Sequence, residues 1–300
     1  MLPIDKPQGP TSHDVVARVR KVLGGAKVGH TGTLDPLATG VLVLCIGRAT
    51  RLSQFLSDHD KEYRARIHLG VTTDTLDAAG RVVAESSDVP QEREPVSRVV
   101  AKFVGKIEQR PPMYSALKVS GRRLHELARA GVQVDRQARP VQIHRIEITA
   151  FDPPDLDLLV SCSKGTYIRS LADDVGRELG CGGHVSALRR TAVGQIGLDQ
   201  CVALEHLESV ASKGGAHEHL LDPNEGLAPM PAVTLSGGHI DRFSHGNPID
   251  GLSGSEGQAE DAWVRAVGPR GTLLGIGRWT ESGEFQPVRV YRTPEDRMAG

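Results

Sequence analysis

No apolar run in the sequence approaches the roughly 18 residues that a membrane-spanning helix needs, and the opening Met1-Leu2-Pro3-Ile4-Asp5-Lys6 carries no secretory hydrophobic segment. A soluble, cytoplasmic chain is expected. Cysteine is scarce: Cys45, Cys162, Cys181 and Cys201 are scattered without a C-x-x-C pair, which argues against a disulfide scaffold and a zinc ribbon. They read as small apolar fillers. Aromatic residues make up only 4% of the chain, which leaves few sugar-stacking faces for a glycosidase working with paired carboxylates. The signatures G-x-x-x-x-G-K-[ST], G-x-G-x-x-G after a strand, H-E-x-x-H and G-x-S-x-G are all missing. Nucleotide hydrolysis, dinucleotide redox and serine-hydrolase chemistry lose weight accordingly. His206, His217 and His219 lie in a polar stretch without cysteine, so no metal site is expected there.

Net charge is nearly absent as well, with 36 basic residues against 37 acidic ones in 300. The balance hides an asymmetry. Residues 1–200 hold 28 basic and 23 acidic residues, whereas 201–300 hold 8 and 14. From Lys102 to Arg145 ten basic residues meet only Glu108, Glu126 and Asp135, which makes this stretch either a phosphate-contacting surface or an ordinary solvated face.

A hydrophobic content of 39% suffices for a packed core, and the length suggests about two domains. Thr11 and Ser12 open a helix with Val15, Val19, Val22 and Leu23 on one face, stopped by Gly24-Gly25. Val41 to Ile46 reads as a buried strand, and the glycine-rich segment before it as a loop. Tyr63, Ala65, Ile67 and Leu69 alternate with Arg64, Arg66 and His68, the pattern of a strand with one wet, basic face. A turn at Asp77–Gly80, helices over 96–104 and 120–130, and a strand over 141–148 follow, the last slipping phase between Ile143 and Ile146 as a β-bulge does. Leu156 to Cys162 forms another strand. Gly165-Thr166 then lead into a helix faced by Ile168, Leu171, Ala172, Val175 and Leu179. Arg169 falls in its first turn, where a cation opposes the helix dipole by roughly 0.3 to 1 kcal/mol. A residue that breaks a local rule is a candidate for a site.

Residues 201–225 turn polar and acidic and read as a linker, so the expected domains are 1–225 and a small β-rich module over 226–300, built on Val233–Leu235, Thr272–Ile276 and Val288–Tyr291. Strands mixed with helices without regular βαβ spacing indicate an α+β fold.

The segment Gly29-His30-Thr31-Gly32-Thr33-Leu34-Asp35-Pro36-Leu37-Ala38-Thr39-Gly40 stands out. Glycines permit close approach to a ligand, and Pro36 biases Asp35 toward an extended backbone. Asp35 is thus either an acidic group in a stiff ligand-binding loop or a turn-capping carboxylate.

This segment resembles the catalytic loop of the TruB-type bacterial tRNA pseudouridine-55 synthases. Ile4-Asp5-Lys6-Pro7 with Thr11-Ser12-His13-Asp14, then Lys61-Glu62-Tyr63, Pro111-Pro112-Met113-Tyr114-Ser115-Ala116-Leu117-Lys118, Gly165-Thr166-Tyr167-Ile168-Arg169-Ser170-Leu171 and Leu188-Arg189-Arg190-Thr191 resemble that family's successive blocks, in family order, over about the first 195 residues. Pro10 stands where the family usually has methionine, and His125 where tyrosine is common.

The resemblance implies a mixed, mainly antiparallel central sheet flanked by helices, with a PUA-like C-terminal module. It implies Asp35 as nucleophile, Tyr63 as the aromatic that stacks on the target base, and Arg169 as partner of the aspartate. His30, Tyr167 and Leu188 become substrate-binding residues: His30 filling the space left by the flipped base, Tyr167 and Leu188 lining the pocket. Lys6, Pro7, Pro111, Pro112, Tyr114 and Lys118 read as mainly structural. The implied partner is the T arm of tRNA, the implied cofactor none, and the implied state a monomer. The alternative is a non-catalytic tRNA-binding or folding protein on the same fold. Burial alone would neutralise Asp35, and an arginine a few ångströms away is expected to reverse that preference. The phenol of Tyr63 is a further candidate, to help remove the C5 proton at the end.

Overall fold

The computed structural model describes residues 1–115, 117–119, 122–129, 132, 134–211, 215–252 and 262–291. A ten-stranded sheet forms its centre. Its path runs Val202–Ala203, Leu2–Lys6, Thr39–Ile46, Gly183–Val193, Lys61–Leu69, Asp155–Cys162, Arg139–Asp152, Gly105–Gln109, with Val28–His30 and Ile196–Gly197 joined beside it. Leu2–Lys6 lies parallel to Val202–Ala203, and Gly183–Val193 parallel to Thr39–Ile46; the other pairs are antiparallel. The fold is mixed α+β, as the sequence indicates.

The period-two geometry of a strand explains why Val41 to Ile46 is apolar throughout. Leu42 and Leu44 enter a first core with Val15 and Val19 of the helix Ser12–Val22 and Leu171 and Val175 of the helix Ile168–Glu178. Val41, Val43 and Cys45 point the other way, into a second core shared with Phe55, Leu56, Leu273 and Ile276. That second core ties the large sheet to a four-stranded one made of Ala232–Thr234, Val264–Val267, Leu273–Trp279 and Phe285–Val290.

Local signals act as their chemistry requires. The Thr11 hydroxyl accepts from the Asp14 backbone while the Asp14 carboxylate accepts from Thr11, a reciprocal cap. The Arg139–Asp152 strand changes register between Ile143 and Arg145, the expected bulge. The helix expected over 96–104 spans Arg93–Ala101. Of the helix expected over 120–130, Leu124–Arg129 is helical, while Ser120, Ala130 and Gly131 lie outside the described residues.

Two expectations are corrected. The stretch from 201 is no linker: Val202–Ala203 joins the central sheet, and the helix Leu204–Ala211 sends Leu204 and Leu207 into the first core. Two buried leucines suffice to dock a helix whose composition is otherwise polar. The glycine-rich segment is not wholly a loop either, because Val28–His30 pairs antiparallel with Thr39–Ile46. Among the described residues no helix is long and apolar enough to cross a membrane.

Candidate active site

The loop that carries Asp35 is held from three sides. Ser12, at the start of its helix, donates to the Leu34 carbonyl (3.0 Å) and accepts from the Leu34 N–H (2.8 Å). The Gly9 N–H donates to the Pro36 carbonyl (2.8 Å). Beneath the loop, buried Arg190 donates through Nε to the Val41 carbonyl (2.7 Å), through Nη2 to Gly32 (3.1 Å) and through Nη1 to Thr33 (3.4 Å). The chain then passes so close to the backbone of Arg190 that only glycine fits. A Cβ on Gly40 would stand 2.1 Å from the Arg190 carbonyl oxygen, and its φ of +98° is itself a glycine conformation.

Arg169 enters from the first turn of the helix Ile168–Glu178, and its guanidinium is almost completely enclosed. Nε lies 2.9 Å from Asp35 Oδ2, Nη1 donates to the Thr75 carbonyl (2.8 Å), and Nη2 donates to the Tyr114 carbonyl (2.7 Å). Asp77 Oδ2 stands 3.7 Å from Nη1. The two carboxylates offset the unfavourable placement of a cation at a helix N-terminus. The turn that supplies Thr75 and Asp77 holds Leu76 at a φ of 62°, a conformation costly for a non-glycine residue. Bonds from Leu76 N–H to Thr73, from Val185 N–H to Leu76 and from Ala78 N–H to Val185 keep it there.

The helix start has no side-chain cap of its own. Buried Gln109 substitutes, accepting from the Tyr167 N–H (2.7 Å) and donating to the Tyr167 carbonyl (3.0 Å). The Tyr167 hydroxyl meets Ser115.

Asp35, Arg169, Tyr63, His30, Tyr167 and Leu188 all line one cavity of about 410 Å³, together with Lys61 and Arg190. Burial pushes the Asp35 carboxyl above the ordinary aspartate value; Arg169 pulls it down and Asp77 pushes it up, and the net direction is upward. The expected reversal by arginine is therefore only a partial offset, because desolvation outweighs the attraction and a second carboxylate adds to it. Burial also raises the Tyr63 phenol, against the lowering influence of the Arg190 charge and hydrogen bond. This favours the neutral phenol and disfavours the base role considered above. His30 is pushed down to about 4 by burial and by the charges of His13 and Arg190, so it is neutral near pH 7; its ring meets His13 edge-on at 5.4 Å.

Sequence reasoning assigned no site role to Asp77, Gln109, Lys61 or Arg190, and read Ser12 only as a helix-opening residue. Asp77 was legible only as a turn residue, and Gln109 carried no signal. In the basic stretch, Lys102 pairs with Glu178 and Arg145 with Glu147, whereas Lys106, Arg110 and Arg139 are exposed. The side chains of Lys118, Arg122, Arg123, His125 and Arg129 lie outside the described residues. No group of three or more histidine, cysteine or acidic side chains suited to a metal is found among the described residues. His206 and His219 meet only as an edge-on ring pair.

The chain matches the model of the TruB family pseudouridylate synthase N-terminal domain over residues 20–168. Residues 169–230 match a tRNA pseudouridylate synthase B C-terminal domain, and 231–291 a pseudouridine synthase II TruB C-terminal domain. It is 44% identical over 300 residues to tRNA pseudouridine synthase B of Pseudomonas aeruginosa (strain UCBPP-PA14), covering 98% of this chain and 96% of that protein. The protein of the same name from Dechloromonas aromatica (strain RCB) is 47% identical over 292 residues, covering 97% and 95%. Among solved structures, a chain of a Cbf5-Nop10-Gar1 complex superposes with a TM-score of 0.79 at 28% identity, covering 98% of this chain and 85% of that one. A chain of an H/ACA RNP bound to a substrate RNA containing 2'-deoxyuridine gives 0.76 at 26%, with the same coverage. With family models spanning most of its length and relatives this close, the chain belongs to the TruB family of pseudouridylate synthases.

Proposed function

We propose that this protein converts the uridine at position 55 of tRNA, in the TΨC loop, to pseudouridine, with Asp35 as the nucleophile. The observation that carries the reading is the carboxylate of Asp35, 2.9 Å from the Arg169 Nε, in a cavity walled by Tyr63, Tyr167 and Leu188. In this reaction the C1′–N1 bond breaks, the uracil turns, and a C1′–C5 bond forms; the proton on C5 is lost and N1 gains one, so no atom is consumed.

Each residue then has a task. The T arm docks, and the target base leaves its stack at a cost of a few kcal/mol, which stacking on the Tyr63 ring offsets by about 1 to 3 kcal/mol. Tyr167 and Leu188 close the pocket around the uracil, and His30, held neutral, occupies the gap left in the loop. Arg169 stabilises the ionised Asp35 against desolvation and fixes where its oxygens point. Lys106, Arg110 and Arg139 meet the phosphates; the Arg110 carbonyl is tied to Ser170 (2.9 Å), one residue past Arg169, which keeps this surface next to the cavity. Mapping pseudouridine after incubation of unmodified tRNA with the purified protein tests the reading: product at position 55 supports it, product elsewhere or none overturns it.

A further inference from the structure

Two buried cations that line the cavity, Arg190 and Lys61, have no part in the chemistry described so far. Arg190 and Lys61 are 2% and 7% exposed, and both converge on Gly32: a Cβ there would lie 3.6 Å from Arg190 Nη1 and 4.0 Å from Lys61 Cε. Neither forms an ion pair with a carboxylate among the described residues. Arg190 donates to the carbonyls of Val41, Gly32 and Thr33 and to the Tyr63 hydroxyl. Lys61 donates to the carbonyls of Ser57 (2.7 Å) and His59. The nearby acids are already engaged: Asp58 with Lys164 (2.8 Å), Asp60 with His144 (3.1 Å). Arg169, by contrast, faces two carboxylates.

Burying a cation without a counter-ion is costly, and neutral carbonyls repay only part of that cost. A cavity floor built this way favours an anion. We infer that Arg190 and Lys61 form an electropositive floor that stabilises the uracil ring as it leaves C1′ with the bonding electron pair. The inference rests on the reading of the protein as a pseudouridine-forming enzyme. When C1′–N1 breaks, its electron pair goes to N1, and the charge spreads over N1, O2 and O4. The Asp35 carboxylate bonds to C1′ as N1 departs; C5 then supplies the pair for the new bond to C1′ and Asp35 leaves with its own pair, the C5 proton departs, and N1 is protonated. The anion exists only between the two bond changes, so a fixed cation beneath the ring lowers the barrier more than it strengthens ground-state binding.

A substrate phosphate is the other anion in reach. The depth of both cations speaks against it, since phosphates stay at the rim, where Lys164 is exposed. The influence of Arg190 also shows in Lys61 itself, whose ammonium is pushed down to about 8, first by burial and next by that charge.

The test compares unmodified tRNA carrying uridine with tRNA carrying 5-fluorouridine at the target position. Fluorine makes the detached ring a weaker base, so it needs less help in leaving; it also takes the place of the C5 proton, so both rates are read at C1′–N1 cleavage, as loss of the starting nucleoside and not as pseudouridine formed. For Lys61→Gln the single-turnover rate is expected to fall roughly 100-fold on uridine but only about 10-fold on 5-fluorouridine, with tRNA binding changed little. Lys61→Arg and Arg190→Lys keep the charge and are expected to hold the wild-type ratio of the two rates, which secures the comparison if the neutral variant does not fold. Equal losses on both substrates in Lys61→Gln, or a ratio changed as much by Lys61→Arg as by Lys61→Gln, would overturn the inference. A loss confined to tRNA affinity would assign the pair to phosphate and overturn it as well. Absence of pseudouridine in the wild-type reaction would instead sink the parent reading.

Discussion

Arg169 places its Nε 2.9 Å from Oδ2 of Asp35 while its two terminal nitrogens are committed to the carbonyls of Thr75 and Tyr114. The guanidinium is therefore fixed by atoms that take no part in the chemistry, and the aspartate is oriented by what remains of the fork. A lysine has one nitrogen and cannot serve three directions at once. Arg169→Lys is expected to lower single-turnover pseudouridine formation on the order of 100-fold while tRNA affinity stays within about threefold. Filter binding beside a rate measurement checks the split; unchanged turnover would remove the pairing from the mechanism.

The pH dependence follows from the direction of the Asp35 shift. Its carboxyl is raised above 3.8 by burial and by Asp77. If Asp35 is the proposed nucleophile, its ionised form is lost as pH falls through a value above the ordinary aspartate range, and kcat/KM should show its acid limb there. Removing the like charge with Asp77→Asn should move that limb toward lower pH while reducing the plateau rate, since Arg169 loses a neighbour. An acid limb at or below the ordinary value, or one that moves upward in Asp77→Asn, would contradict the assignment.

Gly40 meets two demands at once, a positive φ and the Arg190 carbonyl, which a Cβ would approach to 2.1 Å. Gly40→Ala should cost about 3 to 5 kcal/mol and lower the thermal midpoint by roughly 5 to 15 °C. Gly47 has a φ of +58° with nothing within 4 Å of a built Cβ, so Gly47→Ala should cost only about 1 kcal/mol. Thermal unfolding of the two variants side by side separates close approach from backbone strain.

Gln109 gives both of its amide groups to Tyr167. Gln109→Leu leaves the Tyr167 N–H unsatisfied in a half-buried position, which should cost about 1 to 2 kcal/mol. The helix carrying Arg169 begins there, so turnover should fall about tenfold alongside the stability loss. Unaltered stability in that variant would mean that the helix start is held in some other way.

Much of this arrangement is legible in the residues themselves. Alternation at 63–69, the apolar run 41–46 and the Thr11 cap mark their elements because each signal is local. Asp35 is conspicuous because Pro36 and three glycines surround it, and Arg169 because it sits against a helix dipole. Linking the two, however, took the resemblance to a family, since nothing in either segment encodes the distance between them. Gln109 escapes notice, and Ser12 and Asp77 are legible only as helix-opening and turn residues, because their roles at the site are contacts with residues far along the chain. The segment from 201 misleads because Leu204 and Leu207 carry its packing amid a polar composition.

The most direct test is quantitative mapping of pseudouridine in unmodified tRNA incubated with equal amounts of wild-type protein and Asp35→Asn. The expected result is stoichiometric conversion at position 55 by the wild type and a rate reduced by more than about 1,000-fold in the variant, with tRNA binding retained. Comparable conversion by the two proteins would contradict the central role of Asp35.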